Sequence, residues 1–273
     1  MSINGQVKFL YKSAGDKSRN PVLSSSTNES FLNYLVDRLN STYWISSGSD
    51  DTTTEYIEIE FDQPRSIDRL LLIKNNFKDF NAKYDILGSW THFSNVETLE
   101  GTQTNITETD NAKDTNYYQF DSVTTQKIRI EILKTQTVDQ EKYLYQCIPC
   151  EEFGTFEYWP IIRTTSTKNK ISSQLGSGKK IINNNHGAIR IDFDFKNYMG
   201  DNDLELSELL INASEPVLVW LCGANEDQFT FNREGYRLED IYLCKVENED
   251  NANFTDGFYK AGYNRIIQMF EHV

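Results

Sequence analysis

The sequence predicts a mainly β protein, and three observations lead to that prediction. The chain of 273 residues contains 16 Phe, 15 Tyr and 4 Trp, and aromatic residues favour strands. Apolar and polar residues alternate along Tyr56–Phe61 and again along Gln126–Ile132, which is the period-two pattern of a half-buried strand. Only 5 Pro and 14 Gly are present, which excludes a fibrous or low-complexity class.

The strand and helix candidates follow one another along the first half of the chain. Apolar residues within Phe31–Leu39 recur with a short helical period. A turn at Asp62–Pro64 separates the first two strand candidates. The candidate strands are residues 56–61, 67–74, 82–87, 117–120, 127–133 and 143–157.

A polar, Lys- and Ser-rich stretch near residues 160–180 predicts a boundary, so we expect two domains, 1–158 and 159–273. In the second domain, Ala188–Phe195 alternates as a strand, and Pro216–Cys222 is a continuous apolar run typical of a buried strand. Leu204–Ile211 predicts a short helix with acidic and amide caps before it. Further strand material follows in residues 236–246 and 259–270.

Composition also excludes several partners. The formal net charge is -14 and no basic stripe offsets it, so we expect no nucleic-acid partner. No window approaches 18 apolar residues, so we expect no membrane insertion. Residues 1–20 contain no apolar core of seven or more residues, so we expect no signal peptide and synthesis in the cytoplasm.

The stretch from residue 35 to 72 resembles a known family. An Asp, an Asn and a Thr precede Trp44, and then come the Tyr56–Phe61 strand and a second apolar run. Gln126–Ile132 and the closing segment Cys150–Phe156 are similar to the last strands of the same family. This pattern resembles a discoidin domain, the coagulation-factor type C or family 32 carbohydrate-binding jelly roll. The resemblance implies a discoidin-like jelly-roll β-sandwich followed by a second β-rich (α+β) domain, and a binding module rather than an enzyme.

The resemblance also implies a structural Ca²⁺ site. Its ligands would be Asp37, Asn40 and Thr42, closed by Glu152 or by Glu151, because oxygen ligands in a tight loop suit a hard cation. The sequence departs from the family at residues 38–39, where an Arg and a Leu replace small residues. The alternative is a capped helix end with ordinary loop hydrogen bonds.

Ligand binding in such modules uses loops at one end of the barrel. Here those loops would be residues 45–55, 75–81, 88–95 and 134–142. Aromatic faces stack on sugar rings, while Asn and His bond hydroxyls. The candidate ligand-binding residues are Asn75, Asn76, Phe77, Trp90 and His92. The alternative for Trp90 is packing within the barrel.

No pattern predicts catalysis, so we expect no enzymatic activity. The three His residues are far apart and belong to no triad or metal motif. Cys147 and Cys150 form a C-x-x-C without the second pair that a zinc site needs, and we expect structural thiols.

The C-terminal half loosely resembles bacteriophage tail and baseplate proteins in residues 219–229 and 235–242, where an apolar strand, a Gly-containing loop and a Tyr- and Glu-rich strand follow one another. With high acidity, which suits a large assembly, this predicts an oligomeric structural component of a phage tail or contractile particle in the virion. Its partners would be other subunits and host-surface glycan. The alternative is a free carbohydrate-binding lectin or adhesin.

Overall fold

A computed structural model describes most of the chain. The described residues are 7–39, 41–46, 54–77, 84–88, 91–92, 96–98, 102–103, 107–108, 115–132, 141–156, 161–166, 170–174, 180–184, 189–195, 200–221, 241–246 and 265–271. Among them, no helix is long and apolar enough to span a membrane.

The fold is mainly β, as predicted. In chain order the strands are β1 (Lys8–Leu10), β2 (Val22–Ser25), β3 (Trp44–Ile45), β4 (Glu55–Asn75), β5 (Tyr84–Gly88), β6 (Thr91–His92), β7 (Val96–Thr98), β8 (Thr102–Gln103), β9 (Thr107–Glu108), β10 (Asn116–Ile132), β11 (Tyr143–Cys150), β12 (Glu152–Thr155), β13 (Ile161–Ser166), β14 (Lys170–Gln174), β15 (Lys180–Asn184), β16 (Ile189–Phe195), β17 (Val217–Trp220), β18 (Ile241–Val246) and β19 (Arg265–Glu271). Within the described ranges, the helices are two 3-10 helices, Lys17–Arg19 and Glu29–Leu35, and one α-helix, α1 (Asp201–Ile211).

Two long antiparallel strands, β4 and β10, build the sandwich. The first half of β4 lies between β2 and the end of β10, and its second half lies between β11 and the start of β10. Ile57 and Ile59 from the first half and Leu70 and Leu72 from the second half belong to one buried cluster. The predicted turn at Asp62–Pro64 lies inside the continuous β4, where β10 shifts its register.

A second, seven-stranded sheet has the order β12-β1-β17-β18-β19-β16-β13. It therefore includes β1 and β12, which precede the predicted boundary at residue 158, together with strands from after it. The boundary itself stays a prediction. A separate hairpin pairs β14 with β15.

The two sheets pack face to face across a buried apolar cluster. Leu71 and Ile73 of the sandwich lie in one cluster with Leu218 and Trp220 of the second sheet. The rings of Tyr117 and Trp220 have centroids 4.6 Å apart. Because β4 alternates over Leu70–Ile73, Leu71 and Ile73 face the second sheet while Leu70 and Leu72 fill the sandwich core. This accounts for the nearly continuous apolar run that predicted the strand.

Helix α1 covers the other face of the second sheet. It begins three residues before the predicted start, because the Asp203 carboxylate accepts the Gly200 N–H at 3.3 Å and extends the first turn. Leu206 and Leu210 are buried against the sheet. Gly154 of β12 lies directly beneath the helix, where a Cβ would come within 2.5 Å of Leu206 Cδ1.

The predicted helix over Phe31–Leu39 is instead a 3-10 helix that ends at Leu35. Leu32 and Leu35 are its buried residues, and their spacing of three matches the repeat of a 3-10 helix. The chain then turns through Arg38, which has a positive φ of 60°. The left-handed conformation is energetically unfavourable for an Arg backbone, so other contacts must hold the loop in this shape.

Candidate functional site

The rim of the sandwich has a buried base built from three segments. Ser46 donates its N–H to the Lys142 carbonyl at 2.8 Å, and its hydroxyl accepts the Lys142 N–H at 3.0 Å. The Lys142 ammonium bonds Glu55 at 2.6 Å, and the two side chains are 0% and 4% exposed. A fully buried ion pair tolerates little displacement, so this pair fixes where the neighbouring loops begin.

Asn75 and Asn76 extend this base. The Asn76 amide donates to the Glu141 carbonyl at 2.8 Å, and its oxygen accepts the Tyr143 N–H at 2.8 Å. The Asn75 amide donates to Asn116 at 3.1 Å, and its oxygen accepts the Phe77 N–H at 3.2 Å.

The structure describes the positions of four of the five predicted ligand-binding residues. Asn75, Asn76 and Phe77 are buried, at 1%, 8% and 0% exposure, so their side chains are not open to a ligand. His92 lies in β6, paired with Leu87. Trp90 lies outside the described residues, and so do most of the loop residues that the sequence predicts around it.

Tyrosines that sequence reasoning did not select lie beside this rim. Tyr43, Tyr143 and Tyr145 form a cluster in which the ring centroids are 4.9–5.8 Å apart. Lys74 lies next to it, with its ammonium 5.8 Å from the Tyr145 ring centroid. The signal was present in the sequence, since tyrosines two apart on a strand share a face, but only the fold brings Tyr43 to them.

The predicted calcium residues are not gathered at one point. Asp37 accepts the Leu39 N–H and the Thr42 hydroxyl, each at 2.8 Å. Asn40 lies outside the described residues. Tyr43, which follows Thr42 in the sequence, packs on Tyr145 near the start of β11. Glu152 lies beyond the other end of that strand. The six residues between Tyr145 and Glu152 span roughly 20 Å of extended strand.

The Glu152 carboxylate instead forms ion pairs with basic side chains where the two sheets meet. It bonds Arg69 and lies 4.0 Å from Lys8. Arg69 also pairs with Asp68 at 3.0 Å, and Asp68 accepts the Glu152 N–H at 2.9 Å. Burial raises the pKa of Asp68. Among the residues that the structure describes, no group of three or more His, Cys, Asp or Glu could hold a metal ion. Asp37 and Glu152 are therefore held by separate partners in the described structure, and the complete calcium site, which includes Asn40, stays a prediction.

An ion pair between Arg38 and Asp16 holds the loop that contains Asp37 and Thr42. Arg38 Nε lies 3.0 Å from the Asp16 carboxylate, which is buried with a side-chain exposure of 1%. That carboxylate also accepts the N–H and the hydroxyl of Ser18, at 2.9 and 2.7 Å, and Lys12 lies 3.6 Å away. Burial raises the pKa of Asp16, but the Ser18 bonds and the two cations outweigh it and keep that pKa below its usual value.

The cysteines show no sign of redox activity in the described part of the chain. Cys147, Cys150 and Cys244 are buried free thiols. Burial raises the pKa of all three thiols well above the usual value. They act as small apolar side chains in the sheets.

Comparison with known proteins finds a family match for the first half of the chain. Residues 22–143 match the F5/8 type C domain family. This part of the chain is an F5/8 type C domain. The match covers β2 to the first residue of β11, and it includes no strand of the seven-stranded sheet.

Solved structures similar to the chain include two modules of a chitosanase/glucanase from Paenibacillus sp. IK-5. Chitosan-binding module 1 is 15% identical over 51% of this chain and 98% of its own, with a TM-score of 0.36. Module 2, in complex with chitotriose, is 17% identical over 50% and 98%, with a TM-score of 0.36. The family 32 module of C. perfringens NanJ, in complex with galactose, is 15% identical over 53% and 99%, with a TM-score of 0.37.

No curated protein matches the chain. No comparison supports the predicted resemblance of the C-terminal half to phage tail or baseplate proteins. Most of residues 219–242, on which that resemblance was based, lies outside the described residues.

Proposed function

We propose that the F5/8 type C domain is a non-enzymatic carbohydrate-binding module and that its ligand contacts the loops at the rim. The match of residues 22–143 to that domain family is the observation that carries the proposal. This reading corresponds to a lectin or adhesin rather than to a structural subunit of a particle.

The buried base supports the proposal physically. Weak ligands such as sugars bind well only when little conformational entropy is lost on binding. Here Ser46, Asn76 and the Lys142–Glu55 pair fix both the entry and the exit of the rim loops. Loops that start from a rigid base place their side chains reproducibly.

Glycan-array screening of the full chain, followed by isothermal titration calorimetry, tests the proposal. Chitotriose and galactose are the first probes, because they are bound in two of the similar structures. We expect binding to at least one glycan, weakened by Trp90→Ala with an unchanged melting temperature. Tyr11→Ala is the matched control, since Tyr11 is a 48% exposed aromatic residue beside β1 of the other sheet. A folded protein that binds no glycan on the array would refute the proposal.

A further inference from the structure

The tyrosine cluster lies on the outside of the sandwich in a regular row. Strand register pairs Trp44 with Leu144 and Leu144 with Asn75. Their neighbours Tyr43, Tyr145 and Lys74 therefore lie side by side across β3, β11 and β4, on the face opposite to the buried Trp44 and Leu144. Tyr143 lies on the same face as Tyr145, two residues closer to the rim. We call these four residues, Tyr43, Tyr143, Tyr145 and Lys74, the tyrosine face.

The tyrosine face is exposed at one ring and supported at the others. Tyr43 is 38% exposed, while Tyr143 and Tyr145 are half-buried. The Tyr43 ring lies 4.9 Å from Tyr145 and 5.6 Å from Tyr143, measured between centroids. Tyr143 is in turn fixed by its N–H bond to Asn76. An exposed aromatic ring that neighbours already hold in place loses little entropy when a ligand stacks on it.

Packing alone does not account for this arrangement. The sandwich core is filled by the inward residues of the same strands, such as Trp44 and Leu144, which are both 0% exposed. The rings on the outer face add apolar surface where solvent reaches. A planar aromatic surface with a polar hydroxyl at its edge suits the C–H face and hydroxyl groups of a sugar.

Lys74 adds a charge to the same surface. Its ammonium lies 5.8 Å from the Tyr145 ring centroid, in a protein with a net charge of -14. Lys74 has a positive φ of 49°, and its N–H bonds the Thr115 hydroxyl at 3.2 Å. The backbone therefore holds this Lys beside the rings at a conformational cost, and an anionic group on a stacked ligand would lie within reach of it.

We propose that the tyrosine face binds an acidic sugar residue of a glycan. The pyranose ring stacks on Tyr43, and the carboxylate of the sugar pairs with Lys74. This inference rests on the proposed carbohydrate-binding function, and it names both the class of ligand and a surface on the side of the sandwich, below the rim loops. The net charge of -14 disfavours a second copy of this chain as the occupant, because two acidic chains repel each other.

Calorimetry with trigalacturonate and with tri-N-acetylchitotriose, an uncharged glycan of equal length, tests the assignment. We expect trigalacturonate to bind more tightly, and Tyr43→Ala to weaken that binding about fivefold to tenfold. Tyr43→Phe keeps the ring and should retain most of the affinity. Lys74→Gln should remove the preference for the acidic glycan, and the wild-type preference should fall as salt rises from 0.05 to about 0.5 M. Tyr11→Ala serves again as the control.

The outcomes separate this inference from the proposed function. If the protein binds glycans, and Trp90→Ala abolishes binding while Tyr43→Ala and Lys74→Gln change nothing, the tyrosine face is excluded and the carbohydrate-binding function stands. If no glycan binds, both fail. If Tyr43→Ala instead converts a dimer into a monomer in light scattering, the face is an interface between copies and the inference is overturned.

Discussion

The buried ion pair beneath the rim allows a quantitative prediction. Lys142→Met removes the ammonium and keeps a side chain of similar length, which leaves the 4% exposed Glu55 carboxylate without its partner at 2.6 Å. Breaking one half of a buried pair costs about 3–5 kcal/mol, whereas replacing both halves costs much less. We therefore expect Lys142→Met to lower the free energy of unfolding at pH 7 by about 4 kcal/mol, and Lys142→Met/Glu55→Gln to recover most of it.

Urea denaturation of the wild type, both single variants and the double variant gives the coupling energy as a double-mutant cycle. A loss below about 1 kcal/mol at pH 7 would show that Glu55 is solvated. The reasoning about a rigid base would then be refuted.

Three further predictions concern the rest of the fold. Asp16→Asn should lower the melting temperature at pH 7, and the difference from the wild type should shrink below about pH 4, because a carboxyl with a lowered pKa stabilises the fold only while it is ionised; a difference that is independent of pH contradicts this. EDTA should not shift the wild-type melting temperature, and a clear decrease would restore the calcium site. Gly154→Ala should cost about 1–3 kcal/mol in urea denaturation through the contact with Leu206, and an unchanged midpoint would show that α1 shifts freely.

Local pattern predicted the strands better than the links between them. The alternation within Tyr56–Phe61 and Gln126–Ile132 correctly predicted parts of β4 and β10. A strand that is buried on one face has apolar residues at every second position. The alternation did not show that each strand continues through its polar middle, at Asp62–Pro64 in β4. β4 continues through this segment because it pairs with the long strand β10 on both sides of it. The local composition around Asp62–Pro64 does not predict this pairing.

The candidate site was predictable only where residues are close in sequence. Asp37 and Thr42 are bonded as neighbours of one loop, but the partner of Arg38 is Asp16 of another segment. Likewise Tyr43 meets Tyr145 only through the pairing of β3 with β11. The phage-particle role, its subunit partners and its virion location stay predictions, which size-exclusion chromatography with light scattering would test through the oligomeric state.

A crystal structure of the protein in complex with a glycan selected on the array would show where the sugar binds. We expect sugar density against the F5/8 type C domain, at the rim loops or on the tyrosine face. Sugar bound only on the seven-stranded sheet, with the rim and the tyrosine face left in solvent, would contradict that expectation.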